Sequence, residues 1–512
     1  MSNHLTHEMD CELVIGLVAA VGTELDQATN LLEEQLALAG YDSEVIKISD
    51  EIIELVDVPK TWTTKFERYQ NLMDAGNEAR RIACEREAKT PMHDRIGDAV
   101  LAFGTAAQIF LRREKVKGVP MPHGKKAFII RSLKRPEEVE ALRMIYPEGF
   151  VLVGIHSDRS RRWEHLTKNL GMSDVEATTL IDRDRDEVRE KHGQRVNKTF
   201  HLADFFIHAS TDNAQMRCDV RRMVELWFGC PFHTPTFDEY AMFMAFSAAL
   251  RSADLSRQVG AVVARDNQIL STGANECPKA GGGLYWPTRG ESCISDFPDG
   301  RDFMRGFDSN RKAQSEILDE IRKIVQTSLK LDSGKKADRE KLDAVNSALE
   351  RSQIRDLTEY GRVVHAEMEA LLSCGRSGNS TVHADVYCTT FPCHNCAKHI
   401  VAAGIDRVTY IEPYAKSKAL EFHKESISSA MKLECDENRV LFQPFVGIGP
   451  RRFFDLFSMN LGSSYDIVRK DRQSGRKVEW SIQNARLRVQ MKPSSYLDLE
   501  TQTSERFKEF RV

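Results

Sequence analysis

Two short segments constrain this chain more than any other part of it: His365-Ala366-Glu367 and Pro392-Cys393-His394-Asn395-Cys396. Each stands where a strand or loop feeds a helix. The 28 positions from His365 to Cys393 hold one predicted helix, residues 365–372, and one predicted strand, residues 384–388. A second helix is predicted over 393–403 and a second strand over 407–411. For the His, Glu and two Cys to act together, two helix N-termini must converge at one edge of a sheet, which a layered α/β fold provides.

The residue types say what such a convergence is for. Cys393 and Cys396 are three apart, so on a helix they share a face. The first turn of a helix stabilises negative charge and favours the thiolate form. One imidazole and two thiolates supply three ligands for Zn²⁺ and leave the fourth tetrahedral position to water, the coordination of a catalytic rather than a structural site. Glu367, two residues after the histidine, reaches that water without binding metal and carries its proton to a ring nitrogen and then to departing ammonia. The order H-x-E followed by P-C-x-x-C matches the signature of zinc deaminases that act on nucleobases. A closed structural knuckle would need a fourth ligand, with Cys374 and Cys388 on offer; both read instead as small core residues.

Around these motifs the chain resembles the cytidine deaminase-like superfamily and, within it, the deoxycytidylate deaminases, over residues 236–430. The resemblance is carried by Arg257-Gln258-Val259-Gly260-Ala261-Val262, by Ser271-Thr272-Gly273-Ala274-Asn275-Glu276, by the HAE segment and by Thr390-Phe391-Pro392-Cys393. It implies an α/β/α sandwich with one Zn²⁺ per site on His365, Cys393 and Cys396, Glu367 as the catalytic acid and base, and Asn275 as a sugar-binding residue. It also implies a homo-oligomer, a hexamer in that family. Glu276-Cys277-Pro278 stands where glycine is usual, and a long insertion follows Gly281-Gly282-Gly283. Arg257 is kept as a candidate for the substrate phosphate, whereas Lys416 and Lys418 read as solvated.

The whole chain resembles more specifically the bacterial two-domain antiphage dCTP deaminases, in which a kinase-like domain precedes the deaminase. That resemblance implies conversion of dCTP or dCMP to the deoxyuridine nucleotide, which drains a pool needed by phage. It also implies restraint before infection, with an inhibitory RNA or a nucleotide as candidate regulators.

Residues 1–225 are read as a doubly wound α/β domain of P-loop kinase-like type. An apolar run at 13–18, a glycine turn, a helix from Leu25 to a stop at Gly40 and a short β-branched run at 45–48 make one βαβ unit. Buried strands are predicted at 127–130, 150–155 and 205–208. A working phosphate loop reads G-x-x-x-x-G-K-[ST]. Here Thr23 holds the lysine position and Glu24 the next, so phosphoryl transfer is not expected. Gly16, Gly22 and Thr23 are kept as candidates for cradling a nucleotide phosphate through backbone amides. The region 182–187 with Gly193-Gln194 is similar to a nucleotide-kinase lid and equally to a solvated charged helix. The expectation is a degenerate kinase-like module that senses a regulatory nucleotide or holds the assembly.

The expected organisation is therefore 1–225, a deaminase domain over 236–460 with an insertion at 280–358, and a basic, partly β-like tail over 461–512 packed on the core. The span 469–492 carries eight basic residues against two acidic ones, with Trp480 among them. Ser474-Gly475 there suggests a hairpin with a charged face rather than a nucleic-acid site. With 72 basic against 76 acidic residues, the chain as a whole does not advertise a polynucleotide partner. Editing of a base in tRNA or single-stranded DNA, and a regulatory nucleotide-sensing role with an inert deaminase site, remain the alternatives to an enzyme acting on free nucleotides. Eleven scattered cysteines do not make a disulfide scaffold. The polar stretch 1–10 has no apolar signal core and no run approaches the ~20 apolar residues of a membrane helix, so the cytoplasm is the expected location.

Overall fold

The computed structural model describes residues 11–49, 62–87, 97–113, 115–116, 119–185, 187, 190, 192–209, 213–291, 293–332, 334–414, 417–429, 439–462, 465–491 and 493–508. The polar stretch 1–10, Asp186 and Lys416 lie outside them. Among the described residues no helix is long and apolar enough to cross a membrane. The chain divides into two compact units, one of residues 1–239 with 445–512 and one of residues 240–444.

The first unit is built on five parallel strands: β1 (Leu13–Ala19), β2 (Asp42–Lys47), β3 (Lys126–Arg131), β4 (Phe150–His156) and β5 (Phe205–His208). Their order is β2-β3-β1-β4-β5, with a short antiparallel strand, Gly447–Ile448, closing the β5 edge. β1 is buried at every position, as a central parallel strand covered on both faces must be. Its Leu13, Ile15, Leu17 and Ala19 share a core with the helices Leu25–Leu38 and Asn213–Trp227. The alternate residues, Gly16 among them, face the other way. Each predicted strand is present: 205–208 is unchanged, 45–48 begins three residues earlier and ends one earlier, and the others gain one or two residues. Gly40 takes φ +77° just past the first helix, as its role as a stop requires.

The C-terminal part departs from expectation. Where the sequence reading ran the deaminase domain to 460 and set apart a tail, residues 445–512 group with the first unit. The reason is pairing and burial: Gly447 and Ile448 add a strand beside Phe206 and Phe205, and Trp480 Nε1 donates to the Phe228 carbonyl. The tail is also not β-like throughout, because Pro493–Lys508 forms a helix. Tyr496, Glu500, Thr503 and Phe507 recur at helical spacing and are buried. Arg113 explains the buried charge. Its guanidinium pairs with Glu500 at 2.6 Å and with Glu12, while Tyr146 and Tyr496 donate to Glu500 at 2.7 Å and Glu12 at 2.6 Å. The expected turn at Ser474-Gly475 is present, with Lys470 and Lys477 bridged across it.

The second unit holds β6 (Gly260–Arg265), β7 (Gln268–Ala274), β8 (Ala384–Thr390), β9 (Ile405–Glu412), β10 (Ile427–Ser428) and β11 (Val440–Pro444), ordered β10-β11-β9-β8-β6-β7. β6 and β7 form a hairpin, with Asp266 and Asn267 at φ +53° and +58°, the mirror-image turn that fits strand twist. β8, β9, β10 and β11 run parallel, so their crossovers deliver helices to the sheet face. The insertion carries two amphipathic helices, Ser309–Ser328 and Lys336–Glu350, and the second has no buried residue.

Candidate metal centre

His365 is the N-cap of the helix Ala366–Ser377, and Cys393 is the N-cap of the helix His394–Ala402. Both caps have extended backbone, the conformation of a residue that opens a helix. Backbone pairing fixes the first cap: Val364 N–H donates to the Glu276 carbonyl at 3.1 Å, and Glu276 N–H returns a bond to Val364 at 3.3 Å. The second cap is held by Ser417 Oγ, which donates to the Pro392 carbonyl at 2.8 Å. The strand before it ends with Thr390 Oγ1 donating to Glu412 at 2.9 Å.

These supports bring three donor atoms together. His365 Nδ1 lies 3.4 Å from Cys393 Sγ and 3.3 Å from Cys396 Sγ, and all three atoms fall within 4.8 Å of one another. A zinc ion with bonds of about 2.1 Å to nitrogen and 2.3 Å to sulfur needs N···S edges of about 3.6 Å, so the donor set and its spacing fit that ion. Taken as protein groups alone, Cys393 is lowered to about 3, first by the bond from Cys396 and then by His365. His365 is correspondingly raised to about 9, chiefly by Cys393. The Cys396 N–H also points at Cys393 Sγ, 3.4 Å away. Cys393 is thereby held as the thiolate a metal ligand must be, whereas His365 gives up its proton to bind.

Glu367, in the first turn of its helix, is only 5% exposed, and burial pushes its carboxyl above the usual range. Cys374 and Cys388 are elsewhere. Both are core residues; Cys374 Sγ donates to Ser271 Oγ at 3.1 Å, and burial raises Cys388. His394, between the two cysteines, packs edge-on against Phe422, with ring centroids 5.8 Å apart.

Asn275 is buried beside the hairpin. Its Oδ1 accepts from Val259 N–H at 2.7 Å and its Nδ2 donates to the Arg257 carbonyl at 2.9 Å. Arg257 stands on a turn organised by Asp254, whose Oδ1 accepts from the N–H groups of Ser256 and Arg257. Its guanidinium lies over the Tyr414 ring, 5.1 Å from the centroid. Asp254, Tyr414 and Glu276 were not singled out as site residues from sequence. Only Glu276 left a signal, as the departure from the usual glycine; it is buried and accepts from Ala253 N–H at 3.0 Å.

The sequence model of the cytidine and deoxycytidylate deaminase zinc-binding region matches residues 235–412. The deoxycytidylate deaminase of Enterobacteria phage T2 is 30% identical over 175 residues, which are 34% of this chain and 79% of that one. This chain belongs to the cytidine and deoxycytidylate deaminase family. ComE operon protein 2 of Bacillus subtilis is 39% identical over 77 residues, which are 15% of this chain and 41% of that protein. The solved dCMP deaminase of cyanophage S-TIM5 aligns with 41% of this chain and 99% of that one at 16% identity, with a TM-score of 0.22. The family match ends at Glu412, the last residue of β9, and so contains the HAE and PCxxC segments whole.

The phosphate-cradle candidates of the first unit are placed differently from their sequence reading. Gly16 is not in a loop. It is the middle of β1, where a Cβ would lie 2.6 Å from Leu133 and 2.7 Å from Phe150, so tight strand packing accounts for the glycine. Gly22 does sit in the turn, at φ +84° against the Arg162 carbonyl. Thr23 follows it with a buried hydroxyl. The amide of Val21 donates to Asp184 Oδ2 at 2.6 Å, and Lys134 Nζ bridges Asp184 Oδ1 and the Ala19 carbonyl at 2.8 and 2.9 Å. A carboxylate of the chain thus holds a loop amide. Glu24 is engaged by Arg161 and His165, each at 3.0 Å.

Proposed function

We propose that this chain is a zinc-dependent hydrolase that deaminates deoxycytidine nucleotides, dCTP or dCMP, to deoxyuridine nucleotides, and that it drains that pool as a defence against phage. The observation that carries the reading is the meeting of His365 Nδ1, Cys393 Sγ and Cys396 Sγ at the ends of two helices, with the carboxyl of Glu367 in the first turn of one of them. Those three residues would hold the metal, which when bound supplies the Lewis acidity that brings a water pKa toward ~7. Glu367 takes the proton released as the C4–O bond forms, passes it to the ring nitrogen, and serves again as acid when the C4–N bond breaks and ammonia leaves. Burial suits it to both roles by raising its proton affinity above that of an ordinary carboxylate. Asn275 holds the Arg257–Val259 segment in place, and Arg257 takes the substrate phosphate.

The same reading makes the first unit a degenerate nucleotide-kinase-like module. A parallel β2-β3-β1-β4-β5 order with a turn after the central strand supports it. The missing lysine and the Asp184 carboxylate on the Val21 amide argue for a sensor or scaffold, not a phosphoryl transferase. A cytoplasmic homo-oligomer, with an inhibitory RNA or nucleotide as regulator, belongs to the two-domain resemblance.

The deciding experiment incubates wild-type and Glu367→Ala protein with dCTP, dCMP, CTP and deoxycytidine, resolves the products by chromatography and quantifies bound zinc. Zinc in both proteins, with deoxyuridine nucleotide from the wild type alone, is the expected result and ranks the substrates. Zinc with no turnover of any of the four would overturn the free-nucleotide reading in favour of a polynucleotide substrate.

A further inference from the structure

We propose that His156, Asp158 and His208 form a second metal site, in the first unit, for a divalent transition-metal ion such as zinc, cobalt or nickel. The strands themselves create the cluster. His156 ends β4 and His208 ends β5, and the two residues are register partners across neighbouring parallel strands, which sets their side chains on the same face of the sheet. Asp158 follows two positions after His156 and returns to that face. Chains of doubly wound topology bind ligands at this carboxyl edge of the sheet.

The distances are those of ligands rather than of hydrogen-bonded partners. His156 Nε2 stands 3.5 Å from Asp158 Oδ1, and His208 Nε2 stands 3.6 Å from Oδ2 of the same carboxylate. Both exceed a normal N–H···O bond. Each imidazole thus faces a different oxygen of the carboxylate, at close to the ~3.4 Å that separates two donors held ~2.1 Å from one ion. The imidazoles stack with centroids 5.4 Å apart, and one donor atom each of His156, Asp158 and His208 lie within 4.8 Å of one another. His208 Nε2 is buried and has no hydrogen-bond partner among the described residues.

The Asp158 side chain makes no capping bond to the helix that follows it, so its oxygens remain turned to the two imidazoles. Arg162, on the next helix, does not use up the carboxylate: it donates to the backbone carbonyls of Ser157 and Val21. Two imidazoles and one carboxylate suit zinc, nickel or iron-type ions better than magnesium or calcium. A neighbouring cluster in the same unit, Cys84, Asp98 and His192, makes the contrast clear. There Asp98 already bonds His192 Nδ1 at 2.8 Å and pairs with Arg135 at 3.0 Å, so its donors are spent.

The test uses full-length protein stripped with a chelator and titrated with Co²⁺. Four proteins are compared: wild type, Cys393→Ser/Cys396→Ser, and that double variant with either His208→Asn or Asp158→Asn added. Thiolate-to-cobalt charge transfer reports the cysteine cluster alone, so its absence in wild type would count against the deaminase centre and not against this site. Cobalt retained by the double cysteine variant, and bound at least about tenfold more weakly when His208→Asn is added to it, is the result expected. Asp158→Asn, which preserves shape, decides the matter if the His208 variant does not fold. The double cysteine variant retaining no cobalt, or retaining it unchanged with either substitution in the first unit, would overturn the proposal.

Discussion

A side chain on Gly273 would put its Cβ 2.1 Å from the Ala366 carbonyl oxygen and 2.5 Å from the Ala370 amide. Strand β7 and the helix carrying Glu367 are thus in backbone contact, further locked by Ser271 Oγ donating to the Ala370 carbonyl at 2.7 Å. Because His365 caps that helix, Gly273 positions a proposed metal ligand that it never touches. Gly273→Ala is expected to destabilise the second unit by about 1–3 kcal/mol, as overpacking does, and to lower zinc content with it. Denaturant unfolding and metal analysis check this; full zinc content and unchanged stability would show that the helix has room to move.

Removing one thiolate separates the open from the closed form of the metal centre. Cys393→Ser and Cys396→Ser should each lower zinc occupancy sharply and abolish turnover. Cys374→Ser and Cys388→Ser should keep the metal, since both residues lie in the core. Loss of zinc from either core variant while the fold persists would point to a fourth protein ligand.

Arg257→Ala should raise KM for a nucleotide about tenfold while kcat changes little, because a charged hydrogen bond contributes about 1.5–3 kcal/mol to binding. Deoxycytidine, which has no phosphate, should not be affected. An equal loss on both substrates would mean that Arg257 acts only through its stacking on Tyr414.

The first unit should move no γ-phosphate from ATP to a deoxynucleotide. Chromatography of protein incubated with labelled ATP tests this directly, and transfer at ordinary enzymatic rates would contradict the degenerate-loop reading.

Arg113→Met should cost about 3–5 kcal/mol, since it leaves Glu12 and Glu500 buried without their cation. The helix Pro493–Lys508 should then become open to proteolysis. A variant as resistant as the wild type would mean that apolar packing alone holds that helix.

How far the sequence could be read depended on how far apart its partners lie. Cys393 and Cys396 share one helical turn, and His365 marks a helix start by its neighbours alone, so the metal cluster and Glu367 were legible as letters. The strands of the first unit were legible as short apolar runs bounded by glycine. Gly16 misled because a glycine that admits a phosphate and one that admits a phenylalanine ring look the same in sequence. The helix over 493–508 was missed because its buried face is partly polar: Glu500 and Thr503 read as solvent-facing until Arg113 and Tyr146 are set against them.

The sequence by itself determined which His, Cys and Glu side chains stand at the starts of two helices, and the alternation of strands and helices, because local spacing dictates each of them. Only the tertiary structure decided that residues 445–512 return to the first unit, that Asp184 sits on the Val21 amide across 163 positions, and that His156 and His208 become strand partners. Those relationships depend on strand register and on burial of charge between distant segments, and neither is set by any residue's neighbours along the chain.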